Sequence, residues 1–330
     1  MSSSEADAER PTGNGPPRLA PDDAPAFTTR GRRRFFWGRV ALSAAVLGLC
    51  IYAFLRLNLR ATRKTLEHAD WRFLLLAAVA NLVLHLGLKA IRWYVMLRPH
   101  GRVSFWRTYL YTLAASAASS VLPARAGEVL RATLVRQHGV SMATSAGIQV
   151  MEAATETTSL ILVAMPLPWM LDLPLSVRRG FGWFAVAAGM ATLLAILVVF
   201  HGHRVQSFAA WLGRGASALR SGPGAIVVGI VTLAARYADA GILLCAAHAV
   251  GVHANLWVAF LVILAIDVAL LVPTTPGGLG PFEAATVGAL ALAGFTPEHA
   301  LAFALAYHAI QVIPTMLAGG VAFLRVRPQE

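Results

Sequence analysis

Pro273-Thr-Thr-Pro-Gly-Gly-Leu-Gly-Pro-Phe-Glu283 separates two apolar runs, Ala254 to Val272 and Ala284 to Ala293, at a point where a hydrophobic helix would ordinarily continue. Three prolines and the three glycines Gly277, Gly278 and Gly280 fall within nine residues and forbid that continuation. Proline removes a backbone donor, and glycine permits positive φ and close backbone approach. The stretch therefore predicts an unwound break around Pro276, followed by a helix that starts near Pro281 and carries Glu283 in its first turn. Irregular backbone at membrane depth is tolerated only where it is buried in protein or lines a wet cavity, so a break of this kind marks a site.

A second, weaker version of the pattern lies earlier, at Ser119-Ser-Val-Leu-Pro-Ala-Arg-Ala-Gly-Glu-Val-Leu-Arg131. Both stretches run apolar helix, proline, glycine, glutamate, helix, although the spacing from proline to glutamate differs. Paired interruptions in the two halves of a membrane chain point to a transporter's binding site and raise the possibility of an inverted repeat.

Composition agrees with a membrane setting. The 330 residues are 57% hydrophobic and 13% charged, with a mean hydropathy of +0.62. That is outside ordinary globular usage. The net charge of +12 comes from 28 Lys+Arg against 16 Asp+Glu, and the basic residues cluster at the ends of apolar runs. Membrane topology explains this placement, and nucleic-acid binding is not expected. The two cysteines, Cys50 and Cys245, sit in separate apolar runs and form neither a disulfide framework nor a zinc site. We expect no cofactor and no bound metal; His201-Gly-His203 lacks a third ligand.

Taken in order, residues 1–34 are a tail of Ser, Pro, Gly, Asp and Glu without periodicity, ending in Arg30 to Arg34. We read it as disordered and cytoplasmic. Residues 35–324 read as the transmembrane domain, all-α and polytopic, with about 7–8 spans. Within it, Trp71 to Leu97 is a span with His85, Lys89 and Arg92 on one face; the two cations either face the interior or snorkel to the headgroups. Residues 105–140 read as a re-entrant hairpin, because a full crossing would leave Arg125, Arg131, Arg136 and His138 outside. Residues 201–222 read as a basic amphipathic helix on the cytoplasmic surface, and 325–330 as a cytoplasmic tail. An inner-membrane, multi-pass protein with its N-terminus in the cytoplasm follows.

The apolar runs and breaks contain the cations Lys89, Arg92, Arg125, Arg131 and Arg236 and the carboxylates Glu128, Glu152, Glu156, Asp239, Asp267 and Glu283. Each charge at the bilayer centre costs roughly 2.5–3.5 kcal/mol on insertion scales, so these groups must face one another across an interior. Arg125, Glu128 and Arg131 share a helical face, as do Glu152 with Glu156 and Arg236 with Asp239. Two like charges one turn apart, Glu152 and Glu156, require either an arginine from another helix between them or a proton on one. Arginines at such a cavity suit a phosphate, and the helix N-terminus after Pro281 attracts an anion.

These residues carry a family resemblance. Arg92-Trp93, Pro123-Ala-Arg-Ala-Gly-Glu128 followed by Arg131, the Glu152 helix, Pro276-Gly-Gly-Leu-Gly-Pro-Phe-Glu283 and Tyr307 to Pro314 resemble the transmembrane region of lysylphosphatidylglycerol synthases and related stand-alone flippase-like proteins. Members often show Glu-Arg where this chain has Glu152-Ala153, Asp at Glu156 and Arg at His308. The resemblance implies movement of a lipid between leaflets, with Arg125, Glu128, Arg131, Glu152 and Glu283 as cavity residues. The sequence stops six residues after the last span, so no aminoacyl-transfer domain is expected and the chain is not expected to be an enzyme. Membrane lipids, either phospholipids or polyprenyl phosphates, are the expected partners. The full set of expected cavity residues is Arg125, Glu128, Arg131, Glu152, Glu156, Arg236, Asp239, Asp267, Pro276, Gly277, Gly278, Gly280, Glu283 and His308, with Lys89 and Arg92 secondary. A membrane enzyme acting on a lipid-linked phosphate, with Glu152 and Glu156 as metal ligands, and a non-catalytic partner of a synthase are the alternatives.

Overall fold

The computed structural model describes residues 59–121, 126–183, 186–187, 189–190, 215, 217–271 and 275–326. The expected tail 1–34, the first span, nearly all of the surface helix 201–222, His201-Gly-His203, Arg125 and residues 327–330 lie outside the described residues.

Among the described residues every regular element is helical. After α1, Leu59–Glu67, come α2, Trp71–Leu97, then α3, Phe105–Val121, α4, Ala126–Arg136, and α5, Met142–Ala164. The second half holds α6, Gly222–Ala249, α7, Leu256–Ala269, α8, Pro281–Leu292, and α9, Pro297–Arg325. Several starts follow from side chains that satisfy otherwise orphaned backbone donors. Asp70 accepts from the Arg72 N–H at the head of α2, Ser141 from Thr144 at the head of α5, and Asn255 from Val258 at the head of α7.

Among the described residues four helical stretches are long and apolar enough to cross a membrane: Trp71–Leu97, Met142–Met170, Gly222–Ala249 and Pro297–Arg325. α7 and α8 are shorter apolar helices. Large apolar side chains cover much of the surface around an apolar core that also encloses charge. Val83 and Leu317 are 60% and 69% exposed, whereas Arg92 and Glu152 are 2% and 4% exposed. Leu75, Leu76, Val79 and Val83 on α2, with Ile313, Leu317, Val321 and Leu324 on α9, form exposed apolar stripes. Apolar stripes of this extent need hydrocarbon, and buried charge needs partners.

Two helical hairpins organise the polar interior. α3 packs against α4, and α7 against α8. The expected break is present: Pro276–Gly278 forms a single tight turn, and Gly277, Gly278 and Gly280 have φ of 63°, 75° and 92°, where a side chain would be strained. α8 then begins at Pro281, with proline in the first turn where its missing N–H costs nothing. In the other hairpin Gly127 permits direct contact, since a Cβ there would lie 2.0 Å from the Ala115 carbonyl oxygen. The second break packs on α3 near Ser120, just before the first interruption. α9 runs along α3 and also contacts α8, tying the hairpins together.

Candidate functional site

Where the two hairpins meet, a cavity of about 450 Å³ opens between α2, α3, α4, the second break and α9. Its polar walls come from Asn81, His85 and Lys89 on α2, Ser116, Ser119 and Ser120 on α3, and Glu128 and Arg131 on α4. Thr275, Gly277 and Gly278 from the break and His308, Gln311 and Thr315 from α9 complete it. A second cavity of about 220 Å³ lies alongside, lined among others by Arg92, Glu156, Arg236, Asp239 and Asp267. His85, Lys89, Leu270 and Gln311 border both.

α2 positions its residues through a local irregularity. Asn81–His85 forms one π-helical turn inside α2, which is often a mark of function. Asn81 Nδ2 donates to Thr315 Oγ1 at 3.3 Å, tying this turn to α9. His85 Nδ1 contacts Asp239 on α6.

The carboxylate ladder on α5 is resolved by arginines from two neighbouring helices. Arg92 bridges Glu152, at 3.4 Å, and Glu156. Arg131 Nη2 donates to the other oxygen of Glu152 at 2.6 Å, and its Nη1 reaches Glu128 at 3.4 Å. The Arg131 guanidinium also lies 4.1 Å from the centre of the Trp93 ring, so it is held by stacking as well as charge. Of the two arrangements that Glu152 and Glu156 allow, the bridging arginine is the one found. Arg92 is buried and does not snorkel.

The two residues that share a face on α6 bond to different helices. Arg236 and Asp239 share a helix face, yet Arg236 Nη1 donates to Asp267 Oδ2 on α7 at 2.8 Å, while Asp239 meets His85. Arg236 also reaches Ser159 Oγ at 3.5 Å and the Glu156 carbonyl at 3.4 Å.

The break is clasped to α9 by a third group. Glu283 Oε2 accepts the Gly280 N–H at 2.7 Å, and Glu283 Oε1 lies 2.5 Å from His308 Nδ1. His308 Nε2 faces the Gly277 carbonyl at 3.0 Å. A carbonyl only accepts, so Nε2 carries a hydrogen, and one further proton lies between Nδ1 and the carboxylate. The N-terminus of α8 is thus capped by its own glutamate. Phe282 stacks on His308 with ring centres 4.3 Å apart.

The structure brings Glu128, Arg131, Glu152, Glu156, Lys89 and Arg92 into one connected region, and Arg236, Asp239 and Asp267 into its neighbour. Glu283 and His308 form the clasp with Gly277 and Gly280. Asn81, Thr275 and the α3 serines also line the cavity, and none of them is a proline, a glycine or a charged residue that would mark it in the sequence. Among the described residues no cluster of three or more His, Cys, Asp or Glu side chains is arranged to hold a metal ion, and Glu152 and Glu156 are both occupied by arginines.

At the peripheral end of the interior, Gln137 Nε2 donates to Tyr111 Oη at 2.6 Å, and Tyr111 Oη donates to His138 Nε2 at 2.8 Å. Burial, with the Arg107 cation second, holds His138 below the ordinary imidazole range, consistent with a neutral ring that accepts.

Buried ion networks, lipid-facing apolar stripes and cavities between broken hairpins define an α-helical membrane protein with a polar interior. Residues 36–319 match the family described as the lysylphosphatidylglycerol synthase TM region, and the chain belongs to that family. No curated protein matches the chain.

Proposed function

We propose that this protein is a lipid translocator that moves a phosphate-bearing lipid between leaflets, with the headgroup in the cavity and the tails in the bilayer. The observation that carries this reading is the cavity of about 450 Å³ bounded by both interrupted hairpins inside a bundle whose outer surface is hydrocarbon-like. A fixed ion network gives the cavity polar walls without exposing charge to lipid. Family membership supports a membrane-lipid role.

In this reading the protein sits in the inner membrane with a cytoplasmic N-terminus and about 7–8 spans, and the two hairpins are related re-entrant elements. In the same reading it acts as a carrier; Glu152 and Glu156, the metal ligands of the enzyme alternative, are paired with arginines. Two histidine–carboxylate contacts, His85 with Asp239 and His308 with Glu283, offer places to hold a proton during the cycle.

Reconstitution into vesicles that carry a fluorescent phospholipid, followed by a membrane-impermeant quencher, tests the proposal. The expected result is that the inner-leaflet pool becomes quenchable in protein-containing vesicles. Quenching no faster than in protein-free vesicles would overturn it.

A further inference from the structure

Among the described residues four cations reach the two cavities: Lys89, Arg92, Arg131 and Arg236. Each of the three arginines is ion-paired to a carboxylate, although Arg131 Nε makes no hydrogen bond. Arg92 bridges Glu152 and Glu156, Arg131 joins Glu152 and Glu128, and Arg236 joins Asp267. Lys89 differs. Among the described residues it has no carboxylate within 4.0 Å and no hydrogen-bond partner. Glu156 is its close electrostatic partner, but the hydrogen bond of that carboxylate goes to Arg92, and Asp239 is bonded to His85.

Lys89 is half-buried and borders both cavities, together with His85, Leu270 and Gln311. Because Lys89 lines both cavities and hydrogen-bonds to no carboxylate among the described residues, its ammonium keeps its donors for an anion that enters them. Gln311, whose side chain hydrogen-bonds Tyr307, lies on the same wall, and a lysine binds a phosphate oxyanion as a point charge.

We propose that Lys89, and not the arginines, is the residue that binds the phosphate oxyanion of a lipid headgroup, at the junction of the two cavities. The arginines hold the carboxylates in place and build the frame around it. This inference rests on the translocator reading and assigns its substrate contact.

The test is native mass spectrometry of the full chain in detergent with phosphatidylglycerol, with diacylglycerol, and with phosphatidylglycerol plus inorganic phosphate. Wild-type protein is expected to retain phosphatidylglycerol in preference to diacylglycerol. Lys89→Met is expected to lower that preference on the order of tenfold, the effect of one charge-assisted contact, while Lys89→Arg retains most of it. Lys89→Gln carries the same comparison if the methionine variant is not monodisperse. A preference that is absent in wild type or unchanged in both neutral variants overturns the proposal. Displacement of the lipid by inorganic phosphate in a Lys89-dependent way assigns the position to a free anion and overturns the headgroup form. Vesicle translocation measured beside it separates the two readings: wild type that binds through Lys89 but moves no lipid defeats only the translocator, and wild type that moves lipid unaffected by Lys89→Gln defeats only this inference.

Discussion

Arg131 donates to Glu152 at 2.6 Å with both side chains buried, and the same guanidinium is stacked on Trp93. The pair joins α4, from the first hairpin, to α5, and Arg92 extends it to α2. A buried pair of this kind contributes little net stability against a well-packed apolar replacement, but breaking it strands a charge. Glu152→Ala or Arg131→Ala alone is therefore expected to cost about 3–5 kcal/mol, and an apolar double replacement less than either single change. Thermal unfolding of the four proteins in one detergent checks the order.

The clasp at the second break gives another expectation. Gly280 has φ of 92°, and Glu283 caps its N–H while meeting His308. Gly280→Ala is expected to cost about 1–2 kcal/mol from backbone strain alone. Glu283→Ala is expected to lose the cap, about 1 kcal/mol, together with the bond to α9. Both should slow lipid movement in vesicles by more than they lower yield, because they loosen the wall of the cavity. Proteolysis at the break during the same measurements reports the loosening directly.

Close helix approach at Gly127 is testable by size. A Cβ would lie 2.0 Å from the Ala115 carbonyl oxygen and 2.2 Å from Ser119 Oγ. Since the obstacle includes backbone, Gly127→Ala is expected to part α3 from α4 and Gly127→Val to do so further. A falling monodisperse fraction on size exclusion, in the order glycine, alanine, valine, is the predicted result.

The separate pairings of Arg236 and Asp239 predict a specific pattern of coupling. A double-mutant cycle on Arg236 and Asp267 should give an interaction of about 0.5–3 kcal/mol, and one on His85 and Asp239 the same, whereas Arg236 with Asp239 should couple less than either. Strong coupling between Arg236 and Asp239 would contradict the observed partners.

His138 provides a pH expectation. Its folded-state value is depressed by burial and by Arg107, so the unfolded chain takes up the proton first. Its contribution to stability is present above the ordinary imidazole value of about 6.5 and is lost as pH falls below it. Wild-type protein should lose thermal stability through that window, and His138→Gln should show a smaller loss.

The second break was legible because proline and glycine act locally: Pro276, Gly277, Gly280 and Pro281 stop a helix regardless of what surrounds them. The need for buried pairing was also legible, since eleven charges in apolar segments have few alternatives. The partners were not. Arg92 and Glu152 are 60 residues apart and Arg236 and Asp267 are 31 apart, and such choices are made by helix packing. Shared-face spacing pointed correctly to a common wall for Arg236 and Asp239 but not to their bonds. The π-helical turn at Asn81–His85 carries no glycine or proline, and an extra residue in a helical turn leaves the apolar pattern nearly unchanged. Lys89 read as a secondary residue because its significance lies in the absence of a bonded carboxylate among the described residues, which only the three-dimensional arrangement reveals.

The central claim is that a lipid headgroup enters the charged cavity. A phospholipid with a photoreactive headgroup, crosslinked to the reconstituted protein and mapped by mass spectrometry, tests it most directly. Adducts are expected on the cavity wall, at Ser116, Ser120, Thr275 or Gln311. Adducts confined to the outward stripes, at Val83, Ile313 or Leu317, would contradict it.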